Sequence, residues 1–258
     1  MDIDAVKSEI KGDIGKEILF YDTVGSTNTV ALELAEGTEE GAVVISDSQE
    51  KGRGRLGRSW VSPPGLNIYM SIILRPRIEP EHVTLITILS AVACTHALRK
   101  TTGLAITVKW PNDLMVSDRK LGGILTEIKT TRKEIVLAVI GIGINVNMEA
   151  GDFPEQIRMM ATSVKNETGE SFTREPLVLE ILNETDRWYK VLHAGQKKEI
   201  ISEWQRLTST LGKQVLVTAG QETYCGLAEA IDDGGMLLVR LPTGETKRIS
   251  SGDLTVLK

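Results

Sequence analysis

Residues Gln49 to Trp60 read QEKGRGRLGRSW, so Arg53, Arg55 and Arg58 are interleaved with Gly52, Gly54 and Gly57. A guanidinium offers five donors in a planar fork that suits carboxylate and phosphate oxygens, and glycine lets the backbone approach a ligand closely. This is the composition of an anion-binding loop rather than of core. A second segment, Lys109-Trp110-Pro111-Asn112-Asp113, reads as an extended tryptophan before a turn. A turn alone would explain it, but Lys120, Gly122 and Gly123 follow, and a lysine beside glycines again makes charge and backbone available to a ligand. In Gly141-Ile142-Gly143-Ile144-Asn145, glycines interrupt an apolar strand, which implies either a bulge or the close approach of another group. Ser26-Thr27-Asn28 either caps a helix or offers hydroxyl and amide groups to a polar ligand.

These segments contain no nucleophile–base pair and no metal-ligand cluster. Reactions that need positioning and neutralisation of negative charge, such as phosphoryl or nucleotidyl transfer, fit the inventory best. GRGRLG also matches a dinucleotide fingerprint, but that needs a helix opening at the last glycines and an acidic residue about 20 positions on. Here Arg58-Ser59-Trp60 runs toward Pro63-Pro64, and Leu74-Arg75-Pro76 occupies the later region, so the fingerprint fails. An arginine–glycine RNA-binding module, with Trp60 stacking a base, is a reading of a different class, and it leaves the other segments unexplained.

The elements that must position these residues alternate between strand and helix. Residues 1 to 17 suggest one short helix through Ile3, Val6 and Ile10. A strand at 18–22 leads to a helix that opens at Ser26 and stops at Gly37, and a buried strand at 42–49 feeds the arginine–glycine loop. After Pro63-Pro64-Gly65 a strand resumes at 66–75, and the apolar run from Val83 to Lys100 is a core helix closed by Gly103. His96 lies in that pattern with no visible orienting partner and is assigned no role.

Strand patterns at 104–110, 120–129 and 134–147 follow, the first two joined by the turn-rich PNDLMVSDR and the second pair by TTRK, which predicts a mixed or antiparallel sheet with helices on one side. Residues 148–175 are polar and irregular, and two amphipathic helices then end at Gly195 and Gly212. Five short strands bounded by glycine turns complete the chain and suggest a small SH3-like β-barrel. The expected division is a catalytic domain at 1–212 and a barrel domain at 213–258.

A chain of 258 residues accommodates this division, and a net charge of -5 argues against a general nucleic-acid binder. Cys94 and Cys225 are most simply reduced core thiols. The N-terminal segment lacks a leader pattern, and no run reads as long enough to span a bilayer, so a cytoplasmic protein with no membrane partner is expected.

GRGRLGRSW, KWPNDL, RKLGGILTE, GIGINVN and Ala161-Thr162-Ser163-Val164 resemble, in this order, the signature segments of biotin protein ligases, from about Phe20 to the C-terminus. The chain is most similar to the short form without an N-terminal DNA-binding domain. The resemblance implies an α+β fold: a class II synthetase-like core of mixed/antiparallel sheet with helices, plus the small C-terminal barrel. It also implies a two-step reaction in which biotin and Mg-ATP give biotinyl-5′-AMP and pyrophosphate. A lysine of a biotin carboxyl carrier domain then attacks the mixed anhydride. No nucleic acid is an expected partner, and a homodimer is.

By the same resemblance Ser26, Thr27, Asn28 and Gln49 would bind biotin, with Gly52, Gly122 and Gly123 contributing backbone. Arg53 and Arg55 would hold the carboxylate and phosphate side of the adenylate, Arg58 the triphosphate, and Trp60 would pack over the adenylate. Lys120, with Arg53 and Asp113, would form the catalytic set. Asn112 and Asp113 would orient phosphate, magnesium or the incoming lysine, and Asn145 would lie near the nucleotide. Magnesium would be held mainly by the ATP phosphates, with Asp113 as a possible ligand. Leu56 and Ser59 stand where the family is often basic, and Gly122 where alanine is common. Lipoate ligases and lipoyl transferases share this core and are the nearest rival, although the transferases often use a cysteine and neither thiol here falls in a site segment.

Overall fold

The computed structural model of the protein describes residues 1–131 and 134–257. Arg132 and Lys133 of the expected TTRK connection, and Lys258 of the last expected strand, lie outside them. In chain order the elements are α1 (Ile3–Ser8), β1 (Ile18–Val24), α2 (Thr27–Leu34), β2 (Val43–Gln49), β3 (Ile68–Leu74) and α3 (Thr84–Thr102). Then come β4 (Ile106–Lys109), β5 (Asp113–Val116), β6 (Arg119–Thr130), β7 (Ile135–Ile144), α4 (Val164–Thr168), α5 (Arg174–His193) and α6 (Lys197–Leu207). The chain closes with β8 (Gln214–Ala219), β9 (Glu222–Ile231), β10 (Leu237–Arg240), β11 (Thr246–Ile249) and β12 (Asp253–Val256).

The first seven strands form one sheet in the order β1-β2-β3-β7-β6-β5-β4. Only β1 and β2 are parallel, so the sheet is mixed. Alternate residues of its strands face opposite ways. Val43, Ile45, Met70, Ile72, Leu74, Ala138 and Ile140 join α1, α3, α5 and α6 in the main core. Val44, Ile73, Leu137 and Val139 turn to the other face and meet Ala31 of α2 and Ala35 just beyond its end. The helices are therefore not all on one side, contrary to the expectation: α2 covers part of the face that α3 does not.

Other differences have local causes. The expected turn at 111–119 contains β5, whose residues pair with β4 and β6. The helix expected to reach Gly212 stops at Leu207, because Thr208 Oγ1 (2.9 Å) and Ser209 N (2.9 Å) donate to Val108 O, and Thr210 Oγ1 accepts from Trp110 N (2.9 Å). Sheet hydrogen bonding outcompetes one more helical turn. Gly103 ends α3 as expected, at φ 72°. The stretch Pro80–Thr102 does have the length and apolarity of a membrane span, at mean hydropathy 1.3, contrary to the sequence reading, but 67% of that window is buried inside the protein. Cys94 is buried and Cys225 exposed, so only the first is a core thiol. His96 is a structural histidine, with Nε2 at 2.9 Å from Glu203 Oε1 and its ring stacked on Trp188.

The last five strands form an antiparallel sheet in the order β11-β10-β9-β8-β12. Its inward residues Val215, Val217, Ala228, Val239 and Leu254 belong to the same contiguous core as α3 and α5. That shared core fixes the second sheet against the first and brings residues 252–254, at the start of β12, to the rim of the site.

Candidate active site

On the sheet face beside α2, a cavity of about 390 Å³ opens over β5, β6 and β7. Ser26, Thr27, Asn28, Gln49, Arg53, Arg55, Arg58, Trp60, Asn112, Asp113, Lys120, Gly123 and Asn145 all line it.

The glycines of β7 explain how its floor is built. The ladders on both sides of Gly141 and Gly143 keep one register, so there is no bulge there. A Cβ on Gly141 would lie 2.1 Å from Asn28 Oδ1, and a Cβ on Gly143 would lie 2.6 Å from the Trp60 indole. Each glycine thus seats one side chain directly on the backbone. Asn28 is buried, accepts from Ser71 Oγ (2.6 Å) and donates to Leu125 O (3.2 Å) and Glu127 Oε2 (2.8 Å). Its amide is committed to the protein, so Asn28 shapes the end of the cavity beside α2. Gln49 Oε1 accepts from Thr27 N (2.9 Å) while its Nε2 donates to Ser62 Oγ (2.9 Å), and the Ser26 side chain makes no cap to the helix it opens.

Lys120 reaches the cavity by a bulge. Leu114 pairs with Gly122 and Met115 with Lys120, so Leu121 is an extra residue in β6. Strict alternation would send Lys120 to the face of Gly122 and Ile124, which is core. The extra residue reverses it, as bulges re-aim side chains. Lys120 Nζ then lies 2.6 Å from Asp113 Oδ1 and 5.6 Å from the centroid of the Trp60 ring. Its backbone is clamped from above: Lys120 N donates to Met160 O (2.7 Å) and Thr162 N donates to Lys120 O (2.9 Å). That clamp brings Phe153, Ile157 and Met160 to the cavity wall, from a segment that reads as irregular in sequence.

Two expected ligand-binding glycines do not line the cavity. Gly122 faces the core, where a Cβ would lie 2.7 Å from Ile144 Cδ1. Gly52 lets the loop fold on itself, since a Cβ there would lie 2.4 Å from Trp60 O. The loop is a tight return, with Arg53 bridged to Ser59 and Trp60 N donating to Gly52 O (2.9 Å).

The loop's arginines reach three different elements. Arg53 Nη2 is paired with Glu127 Oε2 on β6 at 2.6 Å, and Arg58 with Asp253 on β12 at 2.5 Å. Arg55 donates instead to neutral oxygens, Asn112 Oδ1 (2.8 Å) and Gly252 O (3.2 Å). Burial pushes its guanidinium below the ordinary arginine range, against the pull of Asp113 and Asp253. Asn112 in turn donates to Ile124 O (2.6 Å), and Asn145 to Thr162 O (3.0 Å). Asp113 and Asp253 are committed to cations and do not form a metal cage. Among the described residues, the one cluster of three metal-capable side chains is Glu79, Glu81 and His82, outside the cavity.

The Arg58–Asp253 pair is exposed, and such pairs contribute up to about 1 kcal/mol, about a factor of five in a closed population. Its Arg58 hydrogen bond holds the Asp253 carboxyl below the ordinary 3.8, so the contribution is present above that pH and fades as pH falls through the lowered value. Asp253→Ala should therefore leave the melting temperature within about 3 °C of the parent, yet speed tryptic cleavage between Arg53 and Arg58 by up to about fivefold. Unchanged cleavage kinetics would show that the loop is not held from β12.

Comparisons with known proteins agree with this geometry. Residues 20–145 match the model of the biotin/lipoate A/B protein ligase family, and residues 210–254 that of the biotin protein ligase C-terminal domain. The bifunctional ligase/repressor BirA of Bacillus subtilis (strain 168) is 34% identical over 250 residues, covering 96% of this chain and 76% of that protein. The biotin--[acetyl-CoA-carboxylase] ligase of Paracoccus denitrificans is 32% identical over 228 residues, 85% of this chain and 92% of that one. The biotin protein ligase of Aquifex aeolicus, solved in complex with biotin and ATP, superposes with a TM-score of 0.80 at 27% identity, over 94% of this chain and 99% of that chain. With its five ordered motifs gathered around one cavity and relatives matched over most of their length, the chain belongs to the biotin protein ligases.

Proposed function

We infer that this chain is an ATP-dependent biotin–protein ligase, which activates biotin and transfers it to a lysine of a biotin carboxyl carrier domain. The observation that carries the residue roles is the Lys120 ammonium, swung into the cavity by the Leu121 bulge and held at 2.6 Å by Asp113. In the first step a carboxylate oxygen of biotin attacks the α-phosphorus of ATP, the bond to pyrophosphate breaks, and biotinyl-5′-AMP forms. Negative charge concentrates on the phosphoryl oxygens as this happens. Lys120, Arg53 and Arg55 face that charge, and preorganised cations stabilise the transition state without reorganising. In the second step the acceptor's neutral amine attacks the biotinyl carbonyl carbon, AMP departs, and the amine loses a proton.

Ser26, Thr27, Gln49 and the Gly123 backbone are proposed to bind the ring end of biotin, with Asn28 and Asn112 as positioning residues. Trp60 covers the adenylate, Arg58 meets the triphosphate, and Asn145 lies on the nucleotide side. Magnesium would be held chiefly by the nucleotide's own phosphates, where it neutralises charge. The proposed catalytic domain is 1–212 and the proposed C-terminal domain 213–258, working as a homodimer in the cytoplasm. Sedimentation with and without biotin plus ATP checks the dimer.

The family description also admits lipoate as the acid. Pyrophosphate exchange into ATP, measured with biotin and with lipoate separately, discriminates between them: exchange with biotin alone is expected, and exchange with lipoate alone would overturn the reading.

A further inference from the structure

Of the cations drawn from the sequence motifs, Lys120, Arg53 and Arg58 each have a resident carboxylate, from β5, β6 and β12 respectively. Glu127, the partner of Arg53, belongs to none of the expected site residues. In an alternating strand, an acid near the end reads as an ordinary solvated position. Its neighbour Thr126 turns toward α3, where it accepts from Thr87 Oγ1 at 2.8 Å, and that places Glu127 on the same face as Leu125 and the cavity.

One carboxylate oxygen, Glu127 Oε2, receives both Arg53 Nη2 at 2.6 Å and Asn28 Nδ2 at 2.8 Å. The arginine–glycine loop and the first turn of α2 are otherwise separate elements, and Asn28 is locked to β3 and β6 by Ser71 and Leu125 O. The ion pair is partly exposed, at 41% and 28%, and a pair of that exposure contributes little to global stability. Its value is geometric. A guanidinium has five N–H groups, so a single nitrogen held by Glu127 leaves the others to meet a carboxylate or phosphate.

We propose that Glu127 is a positioning residue that docks the arginine–glycine loop against α2 through Arg53 and so presents Arg53 to the acid substrate. The kinetic part rests on the biotin ligase reading; the docking part does not. Cations on one loop repel each other, and a resident carboxylate at each anchor point is what keeps such a loop down over the cavity.

The test is amide hydrogen exchange of residues 52–60 in the protein without ligands, for the parent, Glu127→Ala, Arg53→Ala and the double variant. Glu127→Ala should speed exchange of Gly54 and Trp60, whose amides bond within the loop, by about fivefold while melting stays within about 3 °C. In pyrophosphate exchange it should raise the KM for biotin about tenfold with kcat changed less than about threefold. The double variant should match Arg53→Ala alone, because Glu127 acts through that side chain. Losses that multiply in the double variant, or unchanged loop exchange, would overturn the proposal. Should Glu127→Ala fold poorly, Glu127→Gln keeps the shape and one acceptor oxygen, and the same comparison with Arg53→Ala decides. A parent that gives no biotin-dependent signal refutes the ligase reading alone, since the loop exchange still decides the docking.

Discussion

Replacing Lys120 with alanine should lower biotin-dependent pyrophosphate exchange about a thousandfold while changing biotin affinity less than about threefold. The asymmetry follows from where the charge is needed. The ammonium is already neutralised by Asp113 at 2.6 Å, so little of its interaction is with biotin before reaction. In the proposed reaction the same fixed cation faces the phosphoryl oxygens as they gain charge, in a cavity walled by Trp60, Ile142 and Met160. Its worth rises in the transition state, which is the condition for lowering kcat without raising Kd. Calorimetric biotin titration beside the exchange assay measures the two quantities. Equal losses in both would assign Lys120 to ground-state binding instead.

Gly141→Ala should be the most destabilising single-methyl change in the site, by about 3 kcal/mol, which for a protein of this size lowers the melting temperature roughly 6–12 °C. The new Cβ would lie 2.1 Å from Asn28 Oδ1, and Asn28 has no room to yield, being 3% exposed and hydrogen-bonded to Ser71, Leu125 and Glu127. Moving it leaves buried polar groups unpaired. Gly143→Ala makes the informative contrast. Its Cβ would strike the Trp60 ring, which rides on a surface loop and can lift away, so it should leave melting nearly unchanged and loosen the loop instead. Calorimetric melting of the two variants side by side checks this, and equal melting temperatures would contradict the separate roles of the two glycines.

Much of this was legible before the fold. Arginines, glycines and turn residues at Gln49–Trp60, Lys109–Asp113, Lys120–Gly123 and Gly141–Asn145 do line one cavity, because residue types costly in a core persist where a ligand meets backbone and charge. What each glycine does was not legible. Gly123, Gly141 and Gly143 face the cavity side, whereas Gly122 packs on Ile144 and Gly52 on Trp60 O, a distinction set by register that no local pattern carries. Asp253 and Glu127 were missed for a related reason: each is one acid on a short or alternating strand, and only the tertiary fold sets it against an arginine some 195 or 74 residues away. β5 was hidden because Asp113–Val116 is short and flanked by turn formers. The side of the sheet taken by α2 depends on packing between Ala31, Ala35 and Ile73, not on the helix's own residues.

The extra residue in β6 makes the site depend on counting as well as on chemistry. Any apolar side chain at Leu121 would leave Lys120 aimed as it is, since direction is set by the number of residues between the lysine and Gly123. Removing that one position would restore strict alternation and turn the amine into the layer of Ile124 and Ile144. In this hairpin, then, insertions and deletions are a harsher class of change than substitutions: the reading of the strand, odd or even, decides whether the Lys120 amine meets the cavity or the core.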